Sequence, residues 1–144
     1  MNQARQKTPI HLWVVGILAI LWNLGGAFDY MATQLRIESY MSQFTQQQLE
    51  YFYGFPAWMD AAWAIAVWAS LLGAIALLLR KSWAVGLFGA AIAGLFVSTM
   101  YNFVLMNGAE VMGDFAVKFT IAIWIIAVLL LVYARAMDKK GVLI

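Results

Sequence analysis

The sequence predicts an all-α membrane protein: an antiparallel up-down-up-down bundle of four transmembrane helices, with a short helix in the first outer loop. Three observations predict it. Of the 144 residues, 65% are hydrophobic and only 11% charged, where a soluble domain carries about 25% charged residues. The apolar residues fall into four runs of about 20, each enough to cross a hydrocarbon core of about 30 Å. The basic residues gather at the run ends that face one side, as membrane orientation requires.

The first span is expected from about Ile10 to Tyr30. Arg5 and Lys7 precede it, and Gly25-Gly26-Ala27 loosely resembles a signal-peptidase site; the segment is read as a retained helix. The second runs from about Pro56 to Leu79, with proline at the first helical position, where its missing N–H needs no partner. The third runs from about Trp83 to Leu105 and the fourth from about Asp114 to Tyr133. The inner loop Arg80-Lys81-Ser82 is so short that spans two and three must be antiparallel neighbours. Gly86, Gly89, Ala90, Ala93 and Gly94 give span three a small-residue face that allows close helix approach in lipid. The whole chain, 1–144, reads as one transmembrane domain.

Charge sets the orientation. Arg5, Lys7, Arg80, Lys81, Arg135, Lys139 and Lys140 flank the ends on one side, and only Arg36 and Lys118 lie elsewhere. Asp29, Glu38, Glu50, Asp60, Glu110 and Asp114 fall on or near the other side, leaving Asp138 with the basic cluster. Basic flanks stay cytoplasmic, so both termini and the second loop are expected inside. Trp13, Trp58, Trp83 and Tyr133 lie near span ends, in the headgroup zone that amphipathic rings prefer.

The outer loop, about Met31 to Phe55, is the longest part outside the spans. Thr45 and Gln48 have capping-box spacing, and Phe44 and Leu49 the spacing of a hydrophobic staple. They predict a helix from about Gln46 to Tyr53, ended by Gly54. The first helix is expected to continue past the membrane as far as Gln43. Tyr40, Phe44, Tyr51, Phe52 and Phe55 need burial. They either rest on the outer headgroup zone or fold over the bundle mouth as a lid.

Ionisable residues inside a span are costly and mark functional sites or internal pairs. Each span brings one polar group to a similar outer depth: Asp29, Asp60, Asn102 and Lys118. At 1.5 Å per residue the last three sit roughly 6 Å below their outer span ends. Asp114 and Lys118 are four apart and can pair on one helix face; Lys118 also has Asp29 or Asp60 within reach across a bundle, and Arg36 is another partner. Asn23, past the midplane, can bond between helices. Ser98 and Asn102 share a face of span three. Tyr30, Tyr101 and Trp63 join the candidate ligand-binding set.

The composition also excludes chemistry. With no cysteine there is no disulfide, thiol nucleophile or thiolate metal site. The single histidine, His11, rules out bis-histidine haem and a histidine-rich zinc site, and reads as a solvated flank. No Walker loop, nucleophile elbow or zincin motif appears, so no catalytic residue, cofactor or metal is expected. The net charge of +2 does not signal nucleic acid, because the cations lie at span ends.

The stretch Phe28-Asp29-Tyr30, Thr33, Arg36, Tyr40, Phe44-Thr45, Gln48, Tyr51-Phe52, Phe55-Pro56 and Trp58, continuing through Trp63-Ala64, Val67-Trp68, Trp83-Ala84 and Tyr101-Asn102, resembles a family of small four-span proteobacterial inner-membrane proteins. Some members carry a sugar-transporter label. The resemblance implies a bacterial inner membrane and four spans, and supplies no site residues.

Two readings of function follow. In one, the protein binds or transports a small polar solute through an outward-facing pocket lined by the polar ring, working as a homodimer in the bilayer. In the other it is a non-transporting structural or accessory membrane protein whose intramembrane polar residues only clamp the bundle. A membrane enzyme using paired aspartates ranks below both.

Overall fold

The computed structural model describes residues 7–144; Arg5, expected among the basic flanks, lies outside the described residues. All its regular structure is helical: α1 (Ile10–Gln34), α2 (Glu38–Met41), α3 (Gln46–Tyr53), α4 (Ala57–Leu78), α5 (Ala84–Met100) with a π-helical turn (Tyr101–Leu105), α6 (Gly108–Met112) and α7 (Asp114–Lys139). Four helices are long and apolar enough to cross a bilayer: α1, α4, α5 with its π turn, and α7. The chain is a multi-pass integral membrane protein. Its large exposed side chains, such as Leu18, Ile121, Ile125 and Leu129, are the apolar ones a bilayer requires.

The first helix does not reach Gln43. It stops at Gln34 in a Schellman motif: the Ile37 N–H bonds the Ala32 carbonyl at 3.0 Å and the Arg36 N–H bonds that of Thr33 at 3.2 Å. Arg36 takes the left-handed conformation that this cap needs, with φ 53°. Helix α4 ends the same way at Arg80, with φ 58°. Pro56 is the N-cap of α4 and sits one residue before the helix, with extended ψ. Helix α3 carries the full capping box: the Gln48 N–H donates to Thr45 Oγ1 at 3.2 Å, and the Thr45 N–H to Gln48 Oε1 at 3.0 Å.

Packing divides the bundle by depth. The core of Leu12, Ala19, Ala74, Leu77, Ala84, Phe88, Leu130, Ala134 and Met137 fills the end that holds Thr8 and Ile144. There Arg80 Nη1 donates to Thr8 Oγ1 at 2.7 Å and Nε to the Val142 carbonyl at 3.0 Å. The Ile144 N–H bonds the Arg80 carbonyl, and Val142 and Leu143 are buried. His11 is not merely a solvated flank, for its Nδ1 lies 2.5 Å from the Tyr133 hydroxyl and ties α1 to α7. We call this the basic end and the opposite one the loop end.

Helix α4 packs closely on both α1 and α5, and α5 on α7. A Cβ on Gly94 would lie 2.6 Å from the Ala62 carbonyl oxygen and 2.8 Å from the Ala66 nitrogen, so α4 and α5 meet backbone to backbone there. The expected small-residue face of span three is thus divided. Gly94 packs inward, whereas Gly86, Ala90 and Ala93 are exposed and Gly86 and Gly89 have open space beyond their Cα atoms.

Candidate functional site

Toward the loop end the four spans separate around a cavity of about 900 Å³. Its walls come from every span: Asn23, Gly26 and Asp29 of α1, Trp63 and Ser70 of α4, Ser98, Thr99 and Asn102 of the third span, and Phe119 and Thr120 of α7. Its roof is the loop between α1 and α4, through Tyr40, Gln43, Phe44, Gln48, Tyr51, Phe52 and Phe55. The loop aromatics thus line the cavity at the bundle mouth, as the lid placement requires.

Edge-to-face ring contacts carry the lid from one wall to the other. Phe28 of α1 meets Tyr40 at 5.3 Å, Phe44 meets Phe52 at 5.1 Å, Tyr51 meets Phe55 at 5.4 Å, and Phe55 meets Tyr101 at 5.4 Å and Trp63 at 6.0 Å. Such pairs contribute about 0.5–1.5 kcal/mol each beyond burial. The guanidinium of Arg36 lies over the Tyr53 ring, 4.1 Å from its centre, pinning the start of the loop to α3.

Two polar bonds join lid to spans. The Tyr40 hydroxyl donates to Asp29 Oδ1. The Tyr51 hydroxyl donates to Asn102 Oδ1 at 2.6 Å, while Asn102 Nδ2 donates to the Ser98 carbonyl at 2.9 Å. Asn102 sits in the π turn, where the Met106 N–H bonds the Tyr101 carbonyl five residues back. One extra residue in a helical turn of this kind re-aims side chains and often marks a functional site. Burial, and then the neighbouring Tyr101, push the Tyr51 hydroxyl up to about 12. Burial and the Asp29 carboxylate push that of Tyr40 up as well.

Asn23, Asp29, Trp63 and Asn102 line this one cavity. Tyr30 and Tyr101 stand behind the wall: Tyr30 abuts Trp63 at 4.9 Å, and Tyr101 abuts Trp58 at 5.4 Å. Asp60 is outside it, accepting from Gln34 Nε2 at 3.0 Å. Lys118 is exposed on α7 and away from the lining; its expected pairing with Asp114, Asp29 or Asp60 is not formed among the described residues. Rotation of α7 explains this, because the helix turns Thr120, Ile123 and Ala127 inward and carries Lys118 out. Asn23 bonds the Ala19 carbonyl of its own helix at 2.8 Å, where an interhelical bond was expected.

The lining holds groups the sequence did not single out as a site: Thr33, Gln43, Gln48, Ser70, Thr99 and Thr120. The Trp124 indole N–H donates to Thr99 Oγ1 at 2.9 Å and ties α7 to α5. Short hydroxyl residues are common in membrane helices, and the helix rotation that selects these ones comes from packing.

Fold and cavity together define a four-span integral membrane protein, hollow at one end and lidded by its longest loop. No family model matches the chain, and no curated protein and no solved structure matches it.

Proposed function

We propose that this protein binds a small polar compound in the lidded cavity and passes it into or across the membrane. The observation that carries this reading is the cavity itself. Its volume of about 900 Å³ falls within the roughly 300–1,000 Å³ of ligand pockets, and its walls mix aromatic rings with a few convergent polar groups, as such sites do. Asp29, Asn23, Asn102 and Trp63 are the binding residues from the sequence set, joined by Gln43, Gln48 and Thr99.

The accessory reading draws on the bonds that join spans directly, Gln34 to Asp60 and Trp124 to Thr99. Asp29 and Asn102, the members of the polar ring that line the cavity, instead bond tyrosines of the loop, which favours a site that the loop covers. The gathering of basic residues at one end supports a loop end that faces outside and termini in the cytoplasm, and the resemblance to small four-span proteobacterial proteins supports a bacterial inner membrane. Four spans are few for alternating access, so transport would use a homodimer, for which the exposed Gly86, Ala90 and Ala93 offer a close-approach face.

The test is a thermal-shift screen of sugars, amino acids and amines on the full chain in lipid nanodiscs. A ligand that binds the folded state raises the melting temperature with log concentration. A saturable shift lost in Asn102→Ala, with flux of the same compound into liposomes, supports the reading. Absence of any shift across the classes, in a protein that melts cooperatively, would remove it.

A further inference from the structure

We infer that the cavity's ligand is a single-chain amphiphile with a non-anionic, hydrogen-bonding head, and that it enters sideways from the bilayer between α1 and α7. The inference rests on the proposed reading that the cavity is a binding site, and departs from it in one respect: the compound carries an alkyl tail behind its polar head.

The first observation is a gap. Neighbouring spans pack α1 on α4, α4 on α5 and α5 on α7, but α1 and α7 do not close the ring in the same way. Their ring contacts are His11 with Tyr133 at the basic end and Trp22 with Phe119, 5.6 Å apart, farther along. On the loop side of Trp22 stand Gly25 and Gly26, and a Cβ on either would meet nothing within 4 Å. Leu21 and Phe115 line the cavity yet are 61% and 78% exposed. A residue can be both only at an opening. This opening is flanked by apolar side chains within two membrane spans, so it faces hydrocarbon.

The second observation is the gradient of polarity. Along α7 the lining runs from Phe115 to Leu130, about 22 Å at 1.5 Å per residue. Asp29, Gln48 and Asn102 lie toward the lid. Deeper down the polar groups thin to Asn23, whose amide bonds its own helix, and Ser70, among Ile123, Ile126, Ala127 and Leu130. A freely soluble solute has little use for so long and largely apolar a floor, whereas an alkyl chain does, with its head under the lid.

The third observation is charge. Asp29 is the one ionisable acid or base, tyrosines aside, among the described lining residues, and no Lys, Arg or His joins it. A phosphate or carboxylate head would meet a carboxylate without a counter-charge. An amine or hydroxyl head would donate to Asp29 and to the amide oxygens.

The experiment uses the full chain in phosphatidylcholine nanodiscs with hexadecylamine bearing a diazirine near its chain end. Photolabelling should map to Ile123, Ala127 and Leu130, saturate, and be displaced by excess unlabelled hexadecylamine. It should fall at least tenfold in Gly26→Trp, which fills the opening, and in Ala127→Phe, which fills the far end, both checked for a native circular dichroism spectrum and melting transition. Hexadecyl phosphate with the same diazirine should not label these positions saturably. Labelling confined to the lipid-facing Ile121, Ile125 and Leu129 in proportion to probe would overturn the inference. If a soluble solute still shifts the melting temperature in that case, the binding site stands and only the amphiphile falls. If no compound of either kind binds, both readings fall.

Discussion

Tyr51 donates its hydroxyl to Asn102 Oδ1 at 2.6 Å, latching the lid helix to the π turn of the third span across 51 positions of sequence. The acceptor is held in place from behind, because the Asn102 amide nitrogen is committed to the Ser98 carbonyl. Gly108 makes room: a Cβ there would stand 2.6 Å from the Asn102 carbonyl oxygen and 3.0 Å from the Tyr51 hydroxyl. Removing the hydroxyl in Tyr51→Phe should cost about 0.5–1.5 kcal/mol, the net worth of one hydrogen bond, and should loosen the lid. The chain has no cysteine, so a single Thr120→Cys in the cavity wall reports entry. A membrane-impermeant maleimide should label Thr120→Cys several-fold faster when Tyr51→Phe is added. Equal rates in the two backgrounds would show that the latch does not hold the lid.

The same tyrosine makes lid closure sensitive to alkali. The Tyr51 hydroxyl is raised from its ordinary value near 10 to about 12, first by burial and then by Tyr101. A raised phenol means that the closed lid favours the neutral form. Its contribution is therefore complete below pH 10 and is lost as pH rises through about 12. Tyr40 is raised in the same sense by burial and by Asp29, and adds to the trend. Tyrosinate absorbance followed across that window should lose its component near pH 12 in Tyr51→Phe. A wild-type titration with no tyrosine displaced above the ordinary range would contradict the shielding.

What could be read from sequence, and what could not, follows from the reach of each signal. Helix α3 was legible because Thr45 and Gln48 act on backbone three residues away. The four spans were legible because a bilayer imposes a length and a composition on each. The end of α1 was hidden, since the left-handed cap residue is Arg36 where glycine is the usual marker. The π turn at Tyr101–Leu105 was hidden as well, since no residue type announces it. Which polar groups face the cavity depends on helix rotation. Thus Asp60 and Asp29, equivalent by depth, part company: one bonds Gln34 outside the cavity and the other bonds Tyr40 within it.

Glycine placement in the third span gives a sharp contrast. Gly94→Ala puts a methyl carbon under 3.0 Å from two backbone atoms of α4. Backbone cannot rotate aside as a side chain can, so the helices must separate, at a cost of about 1–3 kcal/mol. Gly89→Ala meets nothing within 4 Å and should leave the melting temperature unchanged or slightly raised, since alanine is the better helix former. Thermal unfolding of the two variants in the same nanodiscs is the check. Similar losses in both would mean that α4 and α5 are not in backbone contact at Gly94.

The two aspartates supply the most discriminating pair of variants. Asp60 accepts one hydrogen bond, from the exposed Gln34 side chain, and an asparagine at this position keeps an oxygen that can accept it. Asp60→Asn should leave both stability and binding close to wild type. Asp29→Asn keeps an oxygen that can accept from Tyr40, so the lid contact survives, but the cavity loses its negative charge. A hydrogen bond to a charged acceptor is worth about 1.5–3 kcal/mol, so the concentration of unlabelled hexadecylamine that half-displaces the photoprobe should rise roughly tenfold to hundredfold in Asp29→Asn, with the melting temperature held to within a few degrees. A reversed result, with displacement weakened by Asp60→Asn and untouched by Asp29→Asn, would move the polar head out of the cavity to the α1–α4 surface and disprove the assignment of Asp29.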